Sequence, residues 1–198
     1  MLETRETEKK LFDAFVSMVL IEKLPIKKVT VTRITADAGV NRRTFYTHFE
    51  DVYDLHRQLQ NWLVAEFDTR VDHLVERGVF AAKPMISDIL NFLVVNRDYA
   101  LAIAQLDPEY LPTHVANFIG KAILASSKLL TFADQKGISD SEIKYQAYFL
   151  SDAISWISYR WLKNDMDMPK DMLVEMIYRH VLVSVSQVLD TNVTDLID

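Results

Sequence analysis

Apolar residues recur at helical spacing along most of the 198-residue chain, and this periodicity limits the folds that are open to it. In the first segment Leu11, Phe15 and Val19 are four residues apart, which places them on one face of a helix. No segment alternates apolar and polar residues convincingly over the length of a strand. The four glycines and five prolines fall between the periodic segments and separate them. The sequence therefore predicts an all-α protein.

These separations predict nine helices. The first four are expected over about 4–22, 31–38, 42–48 and 52–76. Five more are expected over about 84–95, 97–106, 112–132, 140–163 and 169–190. Thr30, Asn41 and Ser139 are the expected N-caps of the second, third and eighth helices. Gly39 is expected to take the left-handed conformation that ends the second helix.

The second and third helices are predicted to form a helix-turn-helix. Ile34 gives the second helix an apolar face, Phe45 and Phe49 do the same for the third, and Gly39 lies in the short turn between them. With both phenylalanines turned inward, the third helix presents polar and basic residues to solvent. These residues are Arg42, Arg43, Thr44, Tyr46, Thr47 and His48.

The charge distribution is compatible with a surface that binds a polyanion. The net charge of the whole chain is −6, but the segment from Lys23 to Phe49 holds six basic residues and one acidic residue. A local basic patch on an acidic chain is typical of a nucleic-acid-binding protein, although such patches also arise by chance. In the major groove, arginine can donate two hydrogen bonds to guanine, and threonine, tyrosine and histidine can contact phosphates.

The segment VTVTRITADAGVNRRTFYTHFEDVYDL, residues 29–55, resembles the N-terminal motif of the TetR family of one-component transcriptional regulators. The residues that match the family pattern at its spacing are Thr30, Val31, Ile34, Ala38, Gly39, Val40, Thr44, Phe45, Tyr46, His48, Phe49 and Leu55. The resemblance covers residues 4–62 when the first helix is included. It implies a three-helix DNA-binding head, predicted as 1–55, followed by a larger helical domain for effector binding and dimerisation, predicted as 56–198.

The resemblance also implies roles for individual residues of the head. Thr44, Tyr46 and His48 would contact phosphates, whereas Arg42, Arg43 and Thr47 would meet base edges. The predicted DNA-binding set also includes Thr30, Thr32, Arg33 and Asn41.

Two positions depart from the family pattern. Val52 stands where relatives commonly carry a lysine close to a phosphate. Arg33 stands where an acidic residue is usual, and we expect it to supply the missing positive charge.

A single helix-turn-helix reads one half-site, and two-fold dimers read two half-sites about one DNA turn apart. By resemblance, the last two long helices would pair with those of a second copy in a four-helix bundle. Small residues on the first of these helices would permit close approach, and the second carries an apolar stripe. The predicted interface residues are Tyr148, Ser151, Ser155, Trp156, Ile177, Val181 and Val185.

The middle helices would hold a small-molecule effector, again by resemblance to the family. A binding pocket needs an apolar lining and a few polar groups, although aromatic residues at helical spacing are also usual in an ordinary core. The candidate residues are Trp62, Phe92, Tyr99, Tyr110, His114, Phe118 and Tyr145.

Together these features predict a homodimeric repressor that binds a palindromic operator in double-stranded DNA and is released by an effector. Two alternatives stay open. One is a ligand-independent or activating regulator that works through a protein partner. The other is an all-helical enzyme, which a buried polar cluster around His114 or His180 would indicate.

Other classes of site and location are not supported by the sequence. The five histidines form no HxxxH pair and the chain has no cysteine, so we expect neither a metal site nor a cofactor. No run of about 18 uncharged apolar residues occurs, so we expect no membrane span. The absence of cysteine suits a reducing compartment, and the expected location is cytoplasmic.

Overall fold

A computed structural model describes residues 2–76 and 82–188 of the chain. All regular structure in these two ranges is helical, which confirms the predicted all-α class. The helices are α1 (Leu2–Leu20), α2 (Val31–Ala38), α3 (Arg42–His48), α4 (Val52–Glu76), α5 (Ala82–Val95), α6 (Arg97–Leu106), α7 (Tyr110–Leu124), α8 (Ser127–Gln135), α9 (Asp140–Lys163) and α10 (Lys170–Val188). A short 3₁₀ turn, Ile26–Lys28, precedes α2 and was not predicted.

Local sequence signals place most of the helix ends correctly. Thr30 caps α2 by accepting a hydrogen bond from the backbone N–H of Arg33 at 3.4 Å. Asn41 caps α3 by accepting from the backbone N–H of Arg43 at 2.8 Å. Ser139 caps α9, as its spacing predicts. The predicted fourth helix, 52–76, coincides with α4, whereas the predicted end of the last helix, near 190, lies outside the described residues.

The predicted helix over 112–132 is wrong, because two helices, α7 and α8, occupy this segment. The break falls at Ser126. Its N–H donates to the Ile123 carbonyl at 3.1 Å, which tightens the end of α7, and its carbonyl accepts from Leu130 N–H at 3.0 Å, which starts α8. Serine competes with helical hydrogen bonding and favours helix ends, so this position suits an interruption.

The contacts divide the chain into two compact units. Unit 1 consists of Met1–Ala65 and Asn96–Leu111, so it contains α1, α2, α3, the first part of α4, and α6. Helix α1 packs against both α2 and α6. Large apolar side chains such as Phe15, Leu55 and Leu59 are fully buried there. The predicted domain boundary between residues 55 and 56 stays a prediction.

Unit 2 consists of Glu66–Val95 and Pro112–Asp198. Helix α5 packs against α10 and α9. Two polar links also join α5 to α10, because Lys83 forms an ion pair with Glu175 at 2.5 Å and Lys170 donates to Asn91 at 2.7 Å. Among the described residues, no helix is both long and apolar enough to cross a membrane.

Candidate nucleic-acid interface

The turn between α2 and α3 has the conformation that the sequence predicts. Gly39 has a φ of 66°, in the left-handed region that glycine adopts without steric cost. Its N–H donates to the Ala36 carbonyl at 3.2 Å, and Val40 N–H donates to the Thr35 carbonyl at 3.0 Å. These bonds end α2 and direct the chain into α3, so the two helices form a helix-turn-helix.

The inner face of α3 is aromatic and buried. Phe45 and Phe49 are both buried, and their ring centroids are 5.4 Å apart. The Phe49 ring also contacts Phe12 of α1 at 5.7 Å. Because these rings fix the rotation of α3 about its axis, they also determine which side chains face outward.

The outer face of α3 is polar, as predicted. Arg42, Arg43, Tyr46 and Thr47 are exposed, and Thr44 is half-buried. Among the described residues, no carboxylate oxygen lies within 4.0 Å of a guanidinium nitrogen of either arginine. The structure therefore brings these four exposed side chains together on one side of a firmly packed helix.

Arg33 has a partner that the sequence analysis did not foresee. Its Nη2 atom donates to both carboxylate oxygens of Glu22, at 2.8 and 2.7 Å. The hydrogen bonds and the charge of Glu22 raise the pKa of Arg33, so the guanidinium stays charged. The free cation that the sequence led us to expect here is thus already neutralised. The sequence offers little indication of this pair, because Arg33 and Glu22 are 11 residues apart and separated by a turn.

His48 and Val52 also differ from what the family resemblance implies. The His48 ring is mostly buried, and its Nδ1 atom lies 3.2 Å from Glu8 Oε1 of α1. Val52 is only 7% exposed, so it is part of the core at the start of α4. Neither side chain lies on the exposed face with Tyr46. Thr30 and Asn41 serve as caps, and Thr32 is exposed.

The connection between α3 and α4 contains polar residues that the sequence analysis missed. Asp51 Oδ1 accepts a hydrogen bond from Asp54 N–H at 2.8 Å, and Asp54 Oδ2 accepts from Glu50 N–H at 2.9 Å. This arrangement is close to a capping box. The three-residue spacing of Asp51 and Asp54 could have predicted it from the sequence. Gln58 Nε2 donates to Asp54 Oδ2 at 3.0 Å and to the His48 carbonyl at 3.1 Å. It therefore ties α4 to the last residue of α3.

The candidate effector residues fall into separate groups, and the first lies in unit 1. The rings of Trp62 and Tyr99 meet edge to face with centroids 5.2 Å apart. The Tyr99 hydroxyl donates to Asp13 of α1. Burial, helped by this hydrogen bond, raises the pKa of Tyr99. Burial likewise raises the pKa of Tyr110, with a smaller contribution from the charge of Asp107.

The second group lies in unit 2, around Phe67 of α4. The Phe67 ring meets Phe92 and Phe118 edge to face, each with centroids 5.3 Å apart. It also contacts the His114 ring at 6.2 Å, and His114 Nε2 lies 3.0 Å from Asp68 Oδ1. Three predicted residues thus meet around a phenylalanine that the prediction omitted. We call these five residues the Phe67 cluster.

Tyr145 belongs to neither group. It is exposed on α9 and contacts Tyr148 edge to face, with centroids 6.2 Å apart.

Most of the residues predicted for the dimer interface make contacts within their own chain. Ser151 approaches Gly120 of α7, where an added Cβ would lie 3.5 Å from Ser151 Oγ. Ser155 Oγ donates to the Pro112 carbonyl at 2.5 Å. Both serines therefore face α7 of the same chain, and their predicted place in a dimer interface stays a prediction.

The apolar stripe of α10 is likewise covered. Ile177 and Val181 are both 5% exposed, and Val185 packs against a small cluster of Ala133 and Ile143. These three side chains therefore offer little surface to another molecule.

Tyr148 and Trp156 remain exposed on the outer side of α9. They share it with Tyr145, Phe149 and Ile157, which are also exposed. We call these five residues the α9 face.

The comparisons with known proteins concern the fold. No protein-family model matches the chain, and no curated protein sequence matches it. Three solved structures illustrate the likeness. The dihydroxyacetone kinase operon activator DhaS is 19% identical, with a TM-score of 0.59 over 91% of this chain and 96% of that one. The fatty acid degradation regulator FadR from Bacillus halodurans is 16% identical, with a TM-score of 0.57 over 87% and 93%.

The third structure is the transcriptional regulator FadR from Bacillus subtilis in complex with stearoyl-CoA. It is 17% identical, with a TM-score of 0.52 over 90% of this chain and 97% of that one. The chain therefore has the all-helical fold of solved transcriptional regulators across nearly its whole length. The fold that the TetR resemblance implies is confirmed.

The burial of Val52 gives a testable prediction. Val52→Lys should lower the free energy of unfolding by about 2 kcal/mol, because it places a charge in a packed apolar site. Tyr53→Lys is the matched control, since Tyr53 is exposed on the next position of α4 and should change stability by less than about 0.5 kcal/mol. Urea titrations of both variants measure the difference. Equal stability of the two variants would contradict the buried position of Val52.

Proposed function

We propose that the protein is a TetR-type transcriptional regulator that binds operator DNA as a homodimer and is released by a small-molecule effector. The observation that carries this proposal is the outer face of α3. Two arginines without ion pairs, a tyrosine and a threonine stand together on a helix whose other side is fixed by buried phenylalanines. In a helix-turn-helix, the second helix enters the major groove, and here α3 occupies that place.

The residues of α3 then divide into two roles. Arg42 and Arg43 lie at the N-terminal end of the helix, which is the end that meets base edges when the motif docks. A guanidinium can bond both O6 and N7 of guanine, so these arginines would supply sequence selectivity. Tyr46, one turn further along, would contact a phosphate and fix the register of the helix on the duplex.

We further propose that the α9 face joins two copies. Exposed aromatic and aliphatic side chains that lie on one side of a helix, here on both sides of the exposed Asp152, form the kind of apolar surface that marks an interaction site. A two-fold axis through this face would pair the same residues of both copies and present two α3 helices to a palindromic operator. The interface would then use Phe149 and Ile157 beside the predicted Tyr148 and Trp156, in place of the buried serines.

The Phe67 cluster is the proposed effector-sensing element. Three aromatic rings supply an apolar wall, and the pair of His114 and Asp68 at its edge supplies polar groups. An effector shifts the population between DNA-binding and released conformations only to the extent that it binds one more tightly. We propose that the released conformation offers a wider space at this cluster, and that the protein acts as a repressor.

An activating role is the second candidate function. DhaS, which shares the fold, is described as an operon activator, so the fold is compatible with activation as well as repression. A reporter gene placed behind the selected operator distinguishes the two, because removing the regulator should raise expression under a repressor and lower it under an activator.

The first test concerns base reading. The operator is first selected from a random pool of duplexes. Arg43→Ala should then cost about 1–3 kcal/mol of operator binding and relax selectivity at one base pair in each half-site. Tyr46→Phe is the matched control, because loss of a phosphate contact should weaken operator and scrambled duplexes alike. Unchanged base preference in the Arg43 variant would show that this arginine does not read sequence.

The second test concerns assembly. Light scattering at micromolar concentration should report a dimer, and Phe149→Glu should convert it to a folded monomer. Val95→Glu places the same charge on an equally exposed apolar residue of α5, so it should leave the dimer intact. Val181→Glu should instead lower the unfolding free energy, because that side chain is buried within the chain. A dimer that survives Phe149→Glu would place the interface elsewhere.

The third test concerns the effector. Stearoyl-CoA is the first probe, since a FadR with this fold was solved in complex with it. The probe should release operator DNA and raise the melting temperature, as any ligand that binds the native state does. Phe118→Ala should weaken both effects without changing operator affinity. Val95→Ala, at an exposed position outside both the Phe67 cluster and the α9 face, should change neither. Release that is insensitive to Phe118 would exclude the Phe67 cluster as the binding site.

A further inference from the structure

Two lysines directly before α2 form a basic pair outside the predicted DNA-binding set. Lys27 and Lys28 are the last two residues of the 3₁₀ turn, and both are exposed. Among the described residues, neither side chain takes part in an ion pair within 4.0 Å. They are therefore available to a negatively charged partner.

The turn holds this pair at a fixed place relative to the helix-turn-helix. Lys28 N–H donates to the Pro25 carbonyl at 2.8 Å, and Val29 N–H donates to the Ile26 carbonyl at 3.0 Å. The Val29 side chain is buried, and Thr30 caps α2 directly after it. The backbone that carries the lysines is thus held by these hydrogen bonds and by the buried Val29 side chain.

The docking geometry of the motif brings this region close to DNA. When the second helix of a helix-turn-helix lies in the major groove, the first helix crosses the sugar-phosphate backbone. That first helix is α2, and the lysines precede it by three and four residues. Lysine is a mobile point charge on a long stem, which suits a contact to a phosphate.

Two other candidates for this contact, Arg33 and Val52, are excluded by their surroundings. Arg33 on α2 is held by both oxygens of Glu22, and Val52 at the start of α4 is uncharged and buried. We propose that Lys27 and Lys28 contact the DNA phosphates beside α2 and so position α3 in the groove. This inference rests on the proposed function, because it needs α3 to bind DNA.

The slope of log affinity against log salt concentration tests the proposal. Each neutralised phosphate contributes about 0.9 to that slope. Lys27→Gln and Lys28→Gln should each reduce it by about 0.9, and the double variant by about 1.8, on operator and scrambled duplexes alike. The ratio between the two affinities should stay the same at each salt concentration. Circular dichroism before each titration checks that the variants are folded.

Two matched variants make the test specific. Lys121→Gln removes one exposed positive charge from unit 2, so an unchanged slope there shows that net charge alone is not responsible. Arg33→Gln removes the paired cation of α2 and should also leave the slope unchanged, because Glu22 already neutralises it.

The outcomes separate this inference from the proposed function. If the unmodified protein binds its operator and the double lysine variant keeps the full slope, the lysine contacts are wrong and the regulator proposal stands. A reduced slope in the Arg33 variant with none in the lysine variants would assign the phosphate contact to Arg33 and overturn the inference. If the unmodified protein binds no duplex, the proposed function fails and the inference fails with it.

Discussion

The burial of Phe45 and Phe49 is the interaction on which the candidate interface depends. Helix α3 has only seven residues, and isolated helices of that length are unstable in water. It exists because two aromatic side chains leave water, at roughly 1.5–3 kcal/mol each. Phe45 of α3 packs on Phe49, the residue that ends the helix, and Phe49 packs on Phe12 of α1. The same packing leaves the arginines on the opposite side. One apolar pair therefore both stabilises the helix and determines which of its residues can meet a partner.

Polar contacts then fix the direction in which α3 points. Gln58 links α4 to the carbonyl of His48, the last residue of α3, and Glu8 links α1 to the His48 ring. Asp54, buried at the start of α4, holds Gln58 in place. A rotation of α4 would strain these hydrogen bonds unless α3 moved with it. The orientation of α3 therefore depends on α1 and on the first turns of α4.

Local signals allowed the fold to be predicted, whereas long-range pairing decided where prediction failed. Caps such as Asn41 and the left-handed Gly39 act within a few residues, so the sequence reveals them directly. The pairing of Arg33 with Glu22 depends on how two helices meet, and no local pattern encodes it. The small residues of α9 indicate close approach to another helix, but not whether α7 of the same chain or a second copy provides it. Ser155 shows that α7 does.

The arrangement of charge explains why a dimer matters for the proposed function. Several cations of unit 1 are already neutralised by carboxylates, as in the pairs of Arg33 with Glu22 and Arg57 with Asp54. Only part of the positive charge of unit 1 is therefore left for phosphates, which limits the electrostatic attraction that usually dominates DNA affinity. Joining two such heads makes the second contact intramolecular and raises the overall affinity without any new charge. Weak single heads also favour the palindromic operator over the many isolated half-sites, because only the paired site engages both.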